Sequence, residues 1–194
     1  MNTIYNIIVI ITSMSYQTIK ELLDAYPYDT REINLSNMGL YVIPSLERFQ
    51  YLTHLNISNN KLIILPELPK NLMHLNCSDN NIVEVFILPM RLVSFNCNSN
   101  VITKIHMVPD TLETLECRYN NIRMLPALKN ITQLFCDNNN LWHIPKPNVL
   151  EYISCKNNSE NVSEYNERSL IMERLNKNIL NLEGTMYNNN TFTY

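Results

Sequence analysis

Apolar and polar positions fall in a string that returns along most of the chain. It reads LTHLNISNNKL from Leu52, LMHLNCSDNNI from Leu72, LVSFNCNSNVI from Leu92, LETLECRYNNI from Leu112, ITQLFCDNNNL from Ile131 and LEYISCKNNSE from Leu150. A degenerate earlier copy, REINLSNMGL, runs from Arg31 to Leu40. The asparagines of the repeated slot are Asn60, Asn80, Asn100, Asn120, Asn139 and Asn158, so the period is 20 residues and shortens to 19. Strand side chains switch faces at every residue, so the alternating apolar positions predict a short strand with one buried face. One repeat cannot bury that face alone and its neighbours must do so. The pattern therefore predicts a solenoid whose strands stack as a parallel sheet, about 4.8 Å apart.

The slot asparagine has a side-chain amide suited to backbone groups that no strand ladder satisfies. Met38 replaces it in the first copy, as suits a terminal repeat. The return segments vary around the pattern of Ile64-Leu65-Pro66-Glu67-Leu68-Pro69. Proline fixes φ and removes a donor, which favours extended backbone. A thin, extended convex side follows, with Leu65, Val85, Ile105, Leu125 and Ile144 as a second buried line. The opening return, from Leu40 to Tyr51, has room for a short helical turn around Leu46 and Phe49.

This string resembles the leucine-rich repeat pattern L-x-x-L-x-L-x-x-N-x-L over residues 30–160. The short LPxLP-type period is similar to that of the secreted bacterial effectors of the YopM and IpaH group, and to repeats encoded by giant amoeba viruses. The resemblance implies an α/β solenoid with a parallel concave sheet, and a protein-binding role. In IpaH-type effectors a large helical ubiquitin-ligase domain with a Cys-x-Asp nucleophile follows the repeats. No segment of that size follows the repeats in this sequence.

Solenoid ends expose apolar edges that need covering. A strand-like run, Tyr5 to Ile11, and a helical one, Ser15 to Tyr26, predict an N-terminal cap over residues 1–29, with Pro27 ending the helix. Ser163 is a suitable N-cap, and Leu170, Ile171, Leu175, Ile179 and Leu182 then share one face before Gly184. A capping helix is expected over 161–184 and a loose tail over 185–194; a protruding helix that docks a partner is the rival reading.

With 45% apolar residues the chain can fill a continuous core. A net charge of −3 and the absence of a basic run argue against nucleic acid. Two glycines in the whole chain argue against phosphate-cradling loops. The apolar stretch Ile7 to Ile11 lacks a basic flank and is far shorter than the roughly 20 residues that span a bilayer. It reads as a buried first strand, so no membrane association is expected. Sequons at Asn34, Asn56, Asn76, Asn130, Asn157, Asn161 and Asn189 are unsurprising in so asparagine-rich a chain.

All the cysteines, Cys77, Cys97, Cys117, Cys136 and Cys155, share one slot that holds Leu35 and Ile57 in earlier copies. A position accepting Leu, Ile or Cys faces the core, where free cysteine acts as a small hydrophobe. The Cys77–Asp79 pair then loses its catalytic look, since buried apolar thiols are inert. Parallel side chains do not converge tetrahedrally on zinc. Parallel stacking also holds Cβ atoms near the strand spacing instead of the roughly 3.8 Å of a disulfide. Reduced thiols fit a cytoplasmic location, host cytoplasm if the protein is viral.

The alternate residues project from the sheet face in columns. The first is Glu32, His54, His74, Ser94, Thr114, Gln133, Tyr152; the second is Asn34, Asn56, Asn76, Asn96, Glu116, Phe135, Ser154. The third is Ser36, Ser58, Ser78, Asn98, Arg118, Asp137, Lys156. In the N-terminal half the stacked asparagines are expected to hydrogen-bond along the ladder. The C-terminal half gathers Glu116, Arg118, Tyr119, Gln133, Phe135, Asp137, Tyr152 and Lys156, rich in the aromatic and arginine types that dominate interfaces. Those residues are the expected partner site; the bland alternative is solvated variation with Phe135 covered by its neighbouring tyrosine.

His54 and His74 stack in adjacent repeats, but imidazoles without a nearby carboxylate or thiolate make a weak metal or pH site. His106 and His143 fall on the convex side. No Ser/His/Asp set or paired-carboxylate cleft emerges from the spacing. The expectation is a monomeric, non-catalytic recognition module that uses no cofactor or metal and binds a protein on its concave face. The rivals are a ubiquitin-ligase-related effector fragment and an extracellular receptor-like repeat protein.

Overall fold

The computed structural model describes residues 17–145, 149–159 and 162. The expected strand at Tyr5 to Ile11, the helix begun at Ser163 and the tail over 185–194 lie outside them. Helical residues 17–24 bury Ile19 and Leu23 against the repeats.

Each repeat contributes one short strand to a seven-stranded parallel sheet. In chain order these are β1 (Glu32–Asn34), β2 (His54–Asn56), β3 (His74–Asn76), β5 (Ser94–Asn96), β7 (Thr114–Glu116), β8 (Gln133–Phe135) and β9 (Tyr152–Ser154). Register is in phase throughout, Glu32 opposite His54, His54 opposite His74, and so on to Gln133 opposite Tyr152. The columns drawn from the repeat are therefore the columns of the fold. On the return side β4 (Glu84–Val85) and β6 (Lys104–Ile105) pair as a separate parallel ribbon, and returns close through turns such as that of Leu92 N–H onto Pro89 O at 3.1 Å.

A single core cluster runs the length of the repeats, from Ile19 to Val162. The first line is the centre of each strand, Ile33, Leu55, Leu75, Phe95, Leu115, Leu134 and Ile153. The cysteine slot is the next, and Val85, Ile105, Leu125 and Ile144 close the return side, with Leu65 partly buried. Leu46 and Phe49 are fully buried, but not on a helix. Consecutive turns carry them, with the Phe49 N–H donating to Leu46 O at 3.0 Å and Leu52 N–H to Phe49 O at 3.0 Å. Spacing of three serves a turn as well as a helix, and these bonds close before a helix can propagate.

The slot asparagine is the joint between coils. Asn100 Nδ2 lies 3.1 Å from Cys77 O of the coil before and 3.2 Å from Cys97 O of its own, while its Oδ1 accepts the Ile82 N–H at 2.9 Å. Asn80, Asn120, Asn139 and Asn158 repeat the arrangement. Immediately ahead of this slot stands a residue in the left-handed region: Asn59, Asp79, Ser99, Tyr119, Asn138 and Asn157, with φ between 52° and 56°. Asn and Asp tolerate that conformation best among residues with a Cβ. The turn is thus split between a left-handed residue and the amide that follows it.

Candidate partner-binding face

The expected asparagine ladder does not form along the sheet. In the first repeats the second-column asparagine turns back on its own chain: Asn34 Oδ1 accepts Ser36 N–H, and Asn56, Asn76 and Asn96 do the same for Ser58, Ser78 and Asn98, each at 3.0 Å. The reason is reach. A backbone donor two residues on is closer and better oriented than the amide of the next strand.

From β7 onward the second column has no asparagine, and the backbone donors change partner. Arg118 N–H goes to Asn98 Oδ1 of the preceding repeat at 2.7 Å, and Lys156 N–H goes to Asp137 Oδ1 at 2.8 Å. Asp137 is the hub. It also accepts from Ser154 Oγ at 2.7 Å and, through Oδ2, from Arg118 Nε at 2.9 Å. Burial alone would push its carboxyl up; donation from Ser154, the Lys156 N–H and Arg118, together with the Arg118 charge, outweighs this and holds it below the ordinary carboxylate value. Asp137 was expected on the exposed surface, yet it is buried. Its partners draw it into the sheet, so it supports the face instead of presenting to a partner.

What Asp137 supports is an aromatic platform. Its grip on Nε lays the Arg118 guanidinium over the Phe135 ring, 4.3 Å from the centroid. Tyr152 packs on Phe135 with 5.1 Å between centroids, and Glu116 stands 3.9 Å from Arg118 Nη1. Phe135 is half-buried between them, while Tyr119 remains 60% exposed and Tyr152 39%. Gln133 and Lys156 are exposed beside the platform. Of the expected site residues the structure thus clusters Glu116, Arg118, Phe135 and Tyr152, and leaves Tyr119, Gln133 and Lys156 as exposed flanks. Asn98 and Ser154, which position the cluster, were missed; the signal was their place in the columns beside Arg118 and Asp137.

At the other end of the sheet face, Glu32, His54 and His74 border a depression of about 630 Å³ that also reaches Tyr26. The His54 and His74 rings stack at 4.4 Å. The pair is not without a carboxylate, since Glu32 Oε1 lies 3.9 Å from His54 Nδ1 in the adjacent strand. Partial burial first, and the His54 charge second, lower the His74 pKa. No group of three or more His, Cys, Asp or Glu residues suited to hold a metal ion occurs among the described residues.

The cysteines form the expected row of buried thiols, none in a disulfide. Burial pushes all of them up, Cys117 to about 12 with help from the Asp137 charge, and Cys155 to about 11. At neutral pH such thiols stay protonated and unreactive.

Solved structures with a similar fold include YopM from Yersinia enterocolitica WA-314, at a TM-score of 0.58 and 22% identity over 76% of this chain and 42% of that one. YopM from Yersinia pestis, described as a leucine-rich effector protein, matches at a TM-score of 0.54 and 27% identity, over 71% of this chain and 47% of that one. The chain thus spans less than half the length of either YopM structure. A Shigella effector leucine-rich repeat domain aligns at a TM-score of 0.45 and 24% identity, over 82% of this chain and 80% of that one. No protein-family model matches the sequence, and no curated protein does.

Proposed function

Taking the chain as a leucine-rich repeat solenoid similar to that of YopM, we propose that it is a monomeric, non-catalytic protein-interaction module of effector type. It captures a protein partner through the C-terminal half of its concave face. The observation that carries this reading is the platform of Arg118, Phe135 and Tyr152 fixed from beneath by Asp137. Aromatic and arginine side chains already held in place lose little freedom on binding, which is what makes such groups interface anchors. Tyr119, Gln133, Glu116 and Lys156 surround the platform with polar and charged groups, as an interface rim requires. The unreactive thiols support work in a reducing cytoplasm, host cytoplasm for a viral or bacterial effector.

The test is capture of partners from host cytosol by the tagged chain, compared with a Phe135→Ala, Tyr152→Ala double variant. Loss of the captured band with thermal melting nearly unchanged is the expected result. Undiminished capture by the variant overturns the assignment of the site.

A further inference from the structure

We propose that the convex side carries a second docking site, for a short peptide whose apolar residues are interspersed with lysine or arginine. The proposal stands independently of the sheet-face reading, because it concerns the opposite side of the coils. In the extended return segments only some side chains can reach the core. Leu65 and Leu68 are partly buried and Val85 and Leu88 buried, while the residues beside them turn outward. The return through residues 64–70 and the one through 84–90 border a groove of about 740 Å³. That volume lies within the 300–1,000 Å³ range typical of occupied clefts.

The groove is lined by side chains that a solvated surface would not retain. Ile87 is 77% exposed, Met90 71%, Ile64 66% and Phe86 58%. Single exposed apolar residues need no explanation, but a contiguous group around a groove marks an interaction surface. The return of the following coil differs, with Lys104 and His106 at the positions of Glu84 and Phe86. His106 closes that side, stacked on Phe86 at 4.7 Å with its Nε2 3.0 Å from Glu84 Oε2.

Charge selects the occupant. Glu47, Glu67 and Glu84 line the groove with Lys70 as the single cation among its charged residues. Neither Glu47 nor Glu67 takes part in an ion pair among the described residues. An apolar floor under unpaired carboxylates attracts a peptide that brings both hydrophobic side chains and cations, and repels an acidic one.

The experiment uses fluorescence anisotropy with a labelled octapeptide that alternates leucine with lysine, beside a counterpart that alternates leucine with glutamate. The lysine peptide is expected to bind the full chain at least tenfold more tightly. An Ile87→Ser, Met90→Ser double variant, both positions solvent-exposed, should lose binding. A Glu47→Lys, Glu67→Lys variant, which leaves the apolar lining intact, should weaken it by about tenfold, the sum expected for two lost and reversed rim pairs. The Phe135→Ala, Tyr152→Ala variant should bind the peptide as the parent does. Equal binding of the two peptides overturns the proposal, as does loss on the sheet-face variant or retention in both convex-side variants. Concentration-dependent dimerisation in sedimentation that the Ile87/Met90 change abolishes would assign the groove to a second copy instead, and would also overturn it.

Discussion

The two halves of the sheet face solve one backbone problem in different ways. In the first four repeats the N–H of the third column is satisfied by the asparagine two residues before it, within its own chain. At Arg118 and Lys156 it is satisfied from the repeat before, by Asn98 and Asp137. The first device occupies the second column with a residue that has a structural duty. The second releases that column at Glu116 and Ser154, which flank Phe135. A repeat fold gains a variable surface where a conserved bonding need is met by a neighbouring coil.

Substitutions can break this contrast at several levels. The largest effect belongs to neither half but to the joint beneath both. Asn100→Ala strips the Ile82 N–H of its partner and takes one of two donors from each of the Cys77, Cys97 and Asn98 carbonyls. A loss of about 3 kcal/mol in urea unfolding is expected, since one buried orphan costs about 1–3 kcal/mol and the three weakened carbonyls add to it.

Asp137→Ala comes next, at about 2 kcal/mol, because a buried carboxylate with several donors is removed together with the order of the platform. Its folded pKa is depressed, so its contribution is fully present above the ordinary carboxylate value of about 3.9. It is lost as pH falls below that value and through the lower folded one. Asp137→Asn should remove this part of the acid sensitivity, measured as melting temperature against pH.

Asn98→Ala and Asn96→Ala each remove one acceptor for a part-buried N–H, at about 1 kcal/mol, and Asn98→Ala also removes a donor to Glu116 Oε2. Only Asn98→Ala should also disturb the Arg118 and Phe135 resonances in a heteronuclear spectrum. Equal disturbance by both would erase the distinction between the halves.

The smallest effect is at the histidine stack. The folded pKa of His74 is lowered, so its part of the stability is complete above the unfolded value of about 6.5 and declines as pH falls below it. His74→Gln should flatten the melting curve in that window and leave neutral-pH melting almost unchanged.

The repeat, the strand columns, the cysteine row and the slot asparagines were legible because each depends only on position within a period. Asp137 was misjudged because its burial depends on Arg118 and Ser154, its lateral neighbours in the adjacent coils. The columns set Arg118 next to Asp137 but do not say that the carboxylate turns sideways onto it. The helical turn expected around Leu46 and Phe49 is a pair of consecutive turns, since turn and helix share their spacing, and their burial had no signal in the repeat. The convex groove was missed for another reason. The repeat marks the inward residues Leu65 and Val85 and carries no mark for their apolar neighbours Ile64, Phe86 and Ile87, which are exposed.

The slot asparagine gives the molecule adjustable length. At Asn80 and Asn100 the joint between coils is made of the same bonds, to a carbonyl in the coil before, a carbonyl in its own, and an N–H of the preceding return. A coil added or lost there presents its neighbours with the joint they already had, so reach can vary while the fold does not. Past Asn98 that freedom ends, because Asn98 holds Arg118 and Glu116 and Asp137 ties three particular coils together. The protein is thus divided into a spacer that can change length and a head that cannot.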